Sequence, residues 1–224
     1  KLEQELRSGP KFLYVLPNFH NPAGTTLPVE RRNRLVELAS HYGVPILEDD
    51  PYGQLRYEGE HQPPLVEIDS EYHGERTGKA AAGGRFRGGV IYLSSLSKTL
   101  APGLRIAWVV APTDVIGRLV QIKQGADLHT STFNQMVAFE TARGGFLDHH
   151  VKVLRDFYRQ RRDAMLEALK RFMPDGVEWT RPQGGLFLWL TLPAGDLQKV
   201  GAAAILQEAV KSKVVFVPGS AFYP

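Results

Sequence analysis

Apolar runs separated by Gly, Pro, Asn and Asp divide the chain into elements. Phe12 to Leu16 reads as an apolar strand, and Pro17-Asn18-Phe19-His20-Asn21-Pro22-Ala23-Gly24 as a loop. A helix is expected from Pro28, because proline is tolerated in a first turn. Its Leu35, Leu38, Ala39 and Tyr42 share one face, with Arg31, Arg32, Arg34 and Glu37 mostly outside it and Gly43 as the stop. Val44 to Leu47 is the next strand and ends in Glu48-Asp49-Asp50-Pro51-Tyr52. Strand, helix, strand at these lengths is a βαβ unit.

Residues 58 to 89 are polar and hold Gly78, Gly83, Gly84, Gly88 and Gly89, so they read as a surface excursion. A strand from Val90 to Leu93 follows, then a Ser/Lys loop, the Pro102-Gly103 turn and a second apolar strand from Ile106 to Ala111. Helices are expected over Pro112–Gly125, Phe133–Arg143 and Leu147–Phe172, the last carried by Val151, Leu154, Phe157, Met165, Leu169 and Phe172. Beyond Pro174 the pattern changes to strand Val177–Thr180, turn Pro182–Gly185, strand Leu186–Leu192, helix Val200–Lys211 and strand Val214–Val217. A domain boundary is therefore expected near residue 150, giving 1–150 and 151–224. The chain opens as if at a helix end and closes just after a strand, the pattern of part of a longer chain.

Composition narrows the classes. The 224 residues are 43% hydrophobic and 23% charged, with net charge +3, so a packed core is expected and disorder is not. The run Arg155, Arg159, Arg161 and Arg162 lies on the long helix and reads as a solvated face, which leaves no nucleic-acid partner for this segment. There is no cysteine, which removes disulfides, thiolate metal sites and cysteine nucleophiles. No apolar run reaches the ~18 residues of a membrane span. A cytoplasmic protein without a metal is the default expectation. Trp108 and Trp189 read as core residues.

The chemistry concentrates in Ser94-Ser95-Leu96-Ser97-Lys98, with Arg105 after the turn. Hydroxyls and a guanidinium suit a phosphate. A lysine between two buried strands loses hydration, which frees its amine as a nucleophile for a carbonyl. Ligands of open α/β sheets sit beyond the carboxyl ends of parallel strands. Three such ends here offer Asn21, then Asp49 and Tyr52, then Ser95, Ser97, Lys98 and Arg105. Pyridoxal 5'-phosphate could use all of them: an aldehyde for lysine, a phosphate for Ser and Arg, a phenolic oxygen for Asn and Tyr, a ring nitrogen for a carboxylate. An apolar strand closing in acids also suits the magnesium site of a nucleotide hydrolase, but the glycines of a P-loop are absent before Ser97-Lys98-Thr99.

Four pieces in order resemble the class I/II aminotransferases of pyridoxal-phosphate fold type I. They are Asn21-Pro22-Ala23-Gly24, Asp49-Asp50-Pro51-Tyr52, Ser95-Leu96-Ser97-Lys98 with Arg105, and Gly184-Gly185-Leu186-Phe187-Leu188-Trp189. Within the family it resembles the 2-aminoadipate and branched-chain or aromatic aminotransferase group that also includes kynurenine aminotransferase. The resemblance implies an α/β fold, a three-layer, mostly parallel sheet, with part of a smaller α+β domain. It implies transamination between an amino acid and a 2-oxo acid, in a homodimer. Residue by residue it makes Lys98 the Schiff-base lysine and general base, Asp49 the ring-nitrogen partner, and Asn21 and Tyr52 ligands of the phenolic oxygen. Ser95, Ser97 and Arg105 match phosphate ligands, and Phe187, with Asn21, faces substrate. Two readings of the acids stand, with the Asp-x-x-Tyr spacing favouring Asp49 as the ligand and leaving Asp50 to cap the turn. Ser97 reads as a ligand or as an orienter of the lysine loop. Absent from the chain are the family's N-terminal Gly-rich turn and stacking aromatic, and the C-terminal arginine that grips the substrate carboxylate. The alternative reading is the effector-sensing half of a winged-helix transcription regulator, which has the same domain. A decarboxylase is disfavoured, since Ser97 stands where those enzymes usually have His.

Overall fold

A computed structural model of the chain describes residues 1–77, 88–195 and 200–223. The sequence-predicted glycines 78, 83 and 84 lie outside the described residues. Helix α1 (Leu2–Arg7) leads to strand β1 (Leu13–Val15), helix α2 (Val29–Tyr42) and strand β2 (Ile46–Asp49). Helix α3 (Leu65–Thr77), strand β3 (Val90–Ser95) and strand β4 (Ala107–Val110) follow, with a short 3-10 turn at Pro102–Leu104 between the two strands. Then come α4 (Thr113–Ala126), α5 (Thr132–Ala142), α6 (Phe146–Phe172), β5 (Glu178–Trp179), β6 (Leu190–Thr191) and α7 (Ala202–Lys211).

The main sheet has the order β1-β2-β3-β4. Strands β1, β2 and β3 run parallel, with Tyr14 opposite Leu47 and Asp49 opposite Leu93. Strand β4 returns antiparallel, pairing Ser95 with Ala107. This is the mostly parallel α/β sheet that the sequence implies. A second sheet consists of β5 and β6.

Helix α2 ends as its sequence dictates. Gly43 takes φ 65°, a left-handed conformation costly for residues with a Cβ, and its N–H closes on Ala39 and Ser40 carbonyls. The helix lays Leu35, Val36 and Ala39 on one face of the sheet, where Ile46, Leu65, Ile68 and Val90 complete the core. Each such side chain contributes about 1.5–3 kcal/mol on burial. Sheet alternation then sorts β2: Ile46 and Glu48 point into this core, whereas Leu47 and Asp49 lie on the other face and are only partly buried.

Several expectations are corrected. The polar excursion contains α3. Its N-terminus is capped not by its own sequence but by Glu48, whose two carboxylate oxygens accept the N–H groups of Leu65 (2.8 Å) and Val66 (2.9 Å). Arg32, expected outside, is fully buried. Arg162 is not on a solvated face: it is buried, donates to the Pro182 carbonyl at 2.8 Å and pairs with Glu58 at 2.6 Å. Arg155 donates to the Gln54 carbonyl. Residues 214–217 form no strand, and Val214, Val215 and Val217 are exposed, without a neighbouring strand among the described residues to supply a ladder. The 186–192 strand shrinks to Leu190–Thr191. Strand β4 is exposed along its whole length, and Trp108 with it, so the lysine loop is flanked by one buried strand start rather than two buried strands.

Among the described residues no helix is long and apolar enough to cross a membrane.

Candidate active site

The loops after β1, β2 and β3 share one edge of the sheet. After β1 the chain turns through Phe19, which is fully buried and left-handed at φ 49°. Such a backbone in a bulky residue persists only where its surroundings fix it. Here Gly184 and Gly185 close on the ring so tightly that a Cβ at either would lie 2.4 Å from a Phe19 carbon. Asn21 and Pro22 follow in the same loop, after His20. The loop is braced from below by Arg32, which donates to Leu27 O (2.7 Å), Pro63 O (2.9 Å), Pro17 O (3.3 Å) and Asn18 Oδ1 (2.7 Å). The Asn18 amide in turn donates to Asp50 Oδ1 at 3.0 Å.

Three consecutive acids at the end of β2 have three different fates. Glu48 caps α3 from the core side, and burial pushes its carboxyl up to about 7. Asp50 is held inside its own turn: it accepts the Gly53 N–H at 3.0 Å and the Asn18 amide, and burial raises its pKa against those hydrogen bonds. Asp49 lies on the opposite face from Glu48 and accepts the Tyr14 hydroxyl at 2.6 Å. Of the three it is the one left at the open face of the sheet.

Tyr52, brought round by the Asp50 turn, is buried. Its hydroxyl lies within hydrogen-bonding reach of the Asn21 side chain; burial and then the Asp49 charge raise its pKa, against that hydrogen bond. The Phe187 ring stands edge-on to Tyr52, with centroids 5.7 Å apart. Asn21, Asp49, Tyr52 and Phe187, drawn from three loops and two sheets, are thus brought together.

The Ser/Lys loop is the neighbouring strand end. Ser94 Oγ donates to the Asp50 carbonyl at 2.9 Å, tying the two ends to each other. Ser95 Oγ accepts the Ser97 N–H at 3.2 Å, a local turn that sets the half-buried Lys98 just beyond the strand. Leu100 and Ala101 N–H groups close on the Leu96 carbonyl. Arg105 leaves the 3-10 turn at φ 54° and is exposed, donating to the Pro102 carbonyl at 3.2 Å. Ser95, Ser97 and Lys98 therefore share one turn, one strand along from Asp49, and the Leu96 N–H bonds the Ile106 carbonyl next to Arg105 in sequence. Tyr14 and Asn18 carry no sequence signal, Ser94 has no role of its own in the sequence pattern, and helical periodicity puts Arg32 outside the apolar face of α2. Only the parallel register of β1 with β2 could have found Tyr14; no local signal marks Arg32 as buried.

A mostly parallel sheet with polar groups gathered beyond its strand ends defines an α/β ligand-binding domain. The profile of the family "Aminotransferase class I and II" matches residues 1–223, and the chain belongs to that family. It is 45% identical to aromatic-amino-acid aminotransferase 1 of Thermococcus litoralis, over 100% of this chain and 49% of that protein. The crystal structure of the α-aminoadipate aminotransferase LysN of Thermus thermophilus, complexed with N-(5'-phosphopyridoxyl)-L-leucine, superposes with a TM-score of 0.84. The identity is 40%, over 97% of this chain and 52% of that one. An uncharacterized helix-turn-helix transcriptional regulator of Bacillus subtilis is 34% identical over 94% of this chain and 40% of its own length. The chain spans about half the length, or less, of the relatives it matches.

Proposed function

We propose that the protein carrying this chain is a pyridoxal-phosphate-dependent aminotransferase that moves an amino group between an amino acid and a 2-oxo acid. One observation carries the reading: Asn21–Tyr52, Asp49 and the Ser95–Lys98 loop stand at three adjoining strand ends. The residues fit the cofactor. Asn21 buries an Oδ1 that has no partner among the described residues, beside the Tyr52 hydroxyl, so this pair has hydrogen-bonding capacity left for a phenolic oxygen. Asp49 supplies a carboxylate for a ring nitrogen, and Ser95, Ser97 and Arg105 supply donors for a phosphate. Bound there, the cofactor supplies an aldehyde and an electron-accepting pyridine ring.

The chain's own residues do the rest. Lys98 would hold the cofactor through its Nζ, and its amine, when free, would serve as the base for the proton on the substrate Cα. Asp49 would set its carboxylate against the ring nitrogen. Asn21 and Tyr52 fix the ring's orientation, and Phe187 gives the substrate an apolar wall. The same proposal assigns residues 1–150 to the cofactor-binding domain and 151–224 to part of a smaller one. It includes a homodimer acting in the cytoplasm.

The test uses the full-length protein with a panel of amino donors and 2-oxoglutarate. Transamination is expected with at least one donor, and Lys98→Ala should lower it by about 10²–10⁴-fold or more. Borohydride reduction of the loaded protein should leave the cofactor's mass on the peptide that contains Lys98. Trapping on another lysine would refute the assignment. Trapping on Lys98 without turnover of any donor would favour an effector-sensing regulator.

A further inference from the structure

We propose that Tyr14 is a positioning residue for Asp49, fixing the orientation in which this carboxylate faces the cofactor ring. The inference rests on the reading of Asp49 as the ring-nitrogen partner. Tyr14 pairs with Leu47 across the parallel ladder, and Asp49 lies two residues further along β2, so both side chains project from the same face. The tyrosine reaches along the sheet and its hydroxyl meets Asp49 Oδ2 at 2.6 Å. That length belongs to a hydrogen bond between a hydroxyl and a carboxylate.

Both ends of the bond stand on strands rather than loops, so the backbone ladder holds the donor in place. The terminal torsion of an aspartate is otherwise soft, and one donor suffices to select its rotation. Partial burial and the hydrogen bond to Asp49 push the Tyr14 hydroxyl up to about 12, so it stays a donor across the working pH range. The Tyr14 ring is half exposed, and it does not belong to the apolar clusters that pack α1, α2 and α3 on the sheet. Packing among the described residues therefore does not account for a tyrosine here.

The experiment measures binding of pyridoxamine phosphate, which makes no covalent bond to Lys98, to the full-length protein. The variants are Tyr14→Phe, Asp49→Ala and the double variant. Tyr14→Phe should weaken binding about tenfold, the size of one hydrogen bond to a charged group. Asp49→Ala should weaken it further, and adding Tyr14→Phe to Asp49→Ala should change nothing more. The absorption band of the bound cofactor, which reports the ring nitrogen, should shift in Tyr14→Phe in the direction that Asp49→Ala shifts it. If Asp49→Ala binds normally, the reading of Asp49 itself fails. If Asp49→Ala weakens binding and Tyr14→Phe does not, only the role of Tyr14 fails. Equal effects of Tyr14→Phe with and without Asp49 would show that Tyr14 acts independently, and would also overturn it.

Discussion

Arg32→Ala is the substitution with the largest effect that the structure allows to be worked out. The guanidinium is fully buried and donates to four oxygens. Pro17 O has a second donor, the Leu27 N–H at 2.8 Å, and stays satisfied when the arginine goes. Leu27 O, Pro63 O and Asn18 Oδ1 lose the guanidinium as a donor. A stranded buried polar group costs about 1–3 kcal/mol, so three cost at least about 3 kcal/mol. Water entering the space left by the side chain keeps the loss toward the lower end, about 3–5 kcal/mol. The effect spreads to the site through Asn18, Asp50 and the turn that presents Tyr52. Urea unfolding of the full-length protein and of the variant measures the loss, and an unchanged slope with denaturant would show that the unfolded state is the same. Arg32→Lys should recover part of it, since one ammonium cannot reach all of these acceptors. A loss below about 1 kcal/mol for Arg32→Ala would refute the account of a buried brace.

Glu48→Gln tests the cap on α3 through pH. The folded-state pKa of Glu48, about 7, lies above the model-peptide value of 4.5, so between the two the folded protein binds more protons. This contribution is fully present below pH 4.5 and is lost as pH rises through 7. The loss is up to about 3 kcal/mol, and Glu48→Gln should remove that slope from unfolding measured at pH 5 and pH 7.5; an unchanged slope would refute it. Gly185→Ala must accept both a φ of +74° and a Cβ 2.4 Å from Phe19 Cβ. A loss of about 2–5 kcal/mol is expected in chemical unfolding, with a raised KM as Phe187 moves away from Tyr52. A variant as stable as the parent would show that the two loops are not in close contact.

Most regular elements could be read locally. Helix α2 carries its own apolar face and its own glycine stop, and α6 repeats its apolar positions over seven turns, so both lie close to where periodicity places them. Helix α3 could not be read this way. Its sequence is mostly polar, its cap comes from β2, and its anchors Leu65 and Ile68 matter only because Val36 and Val90 cover them. The strand expected at 214–217 failed for the complementary reason. Apolar β-branched residues supply propensity, but a strand exists only with a neighbour to bond.

The sequence by itself determined which residue types stand beyond three strand ends, and in which order: an amide, an Asp-x-x-Tyr step, two serines, a lysine and an arginine. Alternation along β2 also required Asp49 to point away from Glu48. Only the tertiary structure decided which of those faces is the core. The packing of α2 and α3 on one side buries Ile46 and Glu48 and leaves Asp49 at the open side, in reach of Tyr14. Loop packing turned two arginines inward, Arg32 on α2 and Arg162 on α6, because buried carbonyls of Leu27, Pro63 and Pro182 need donors that those loops do not contain.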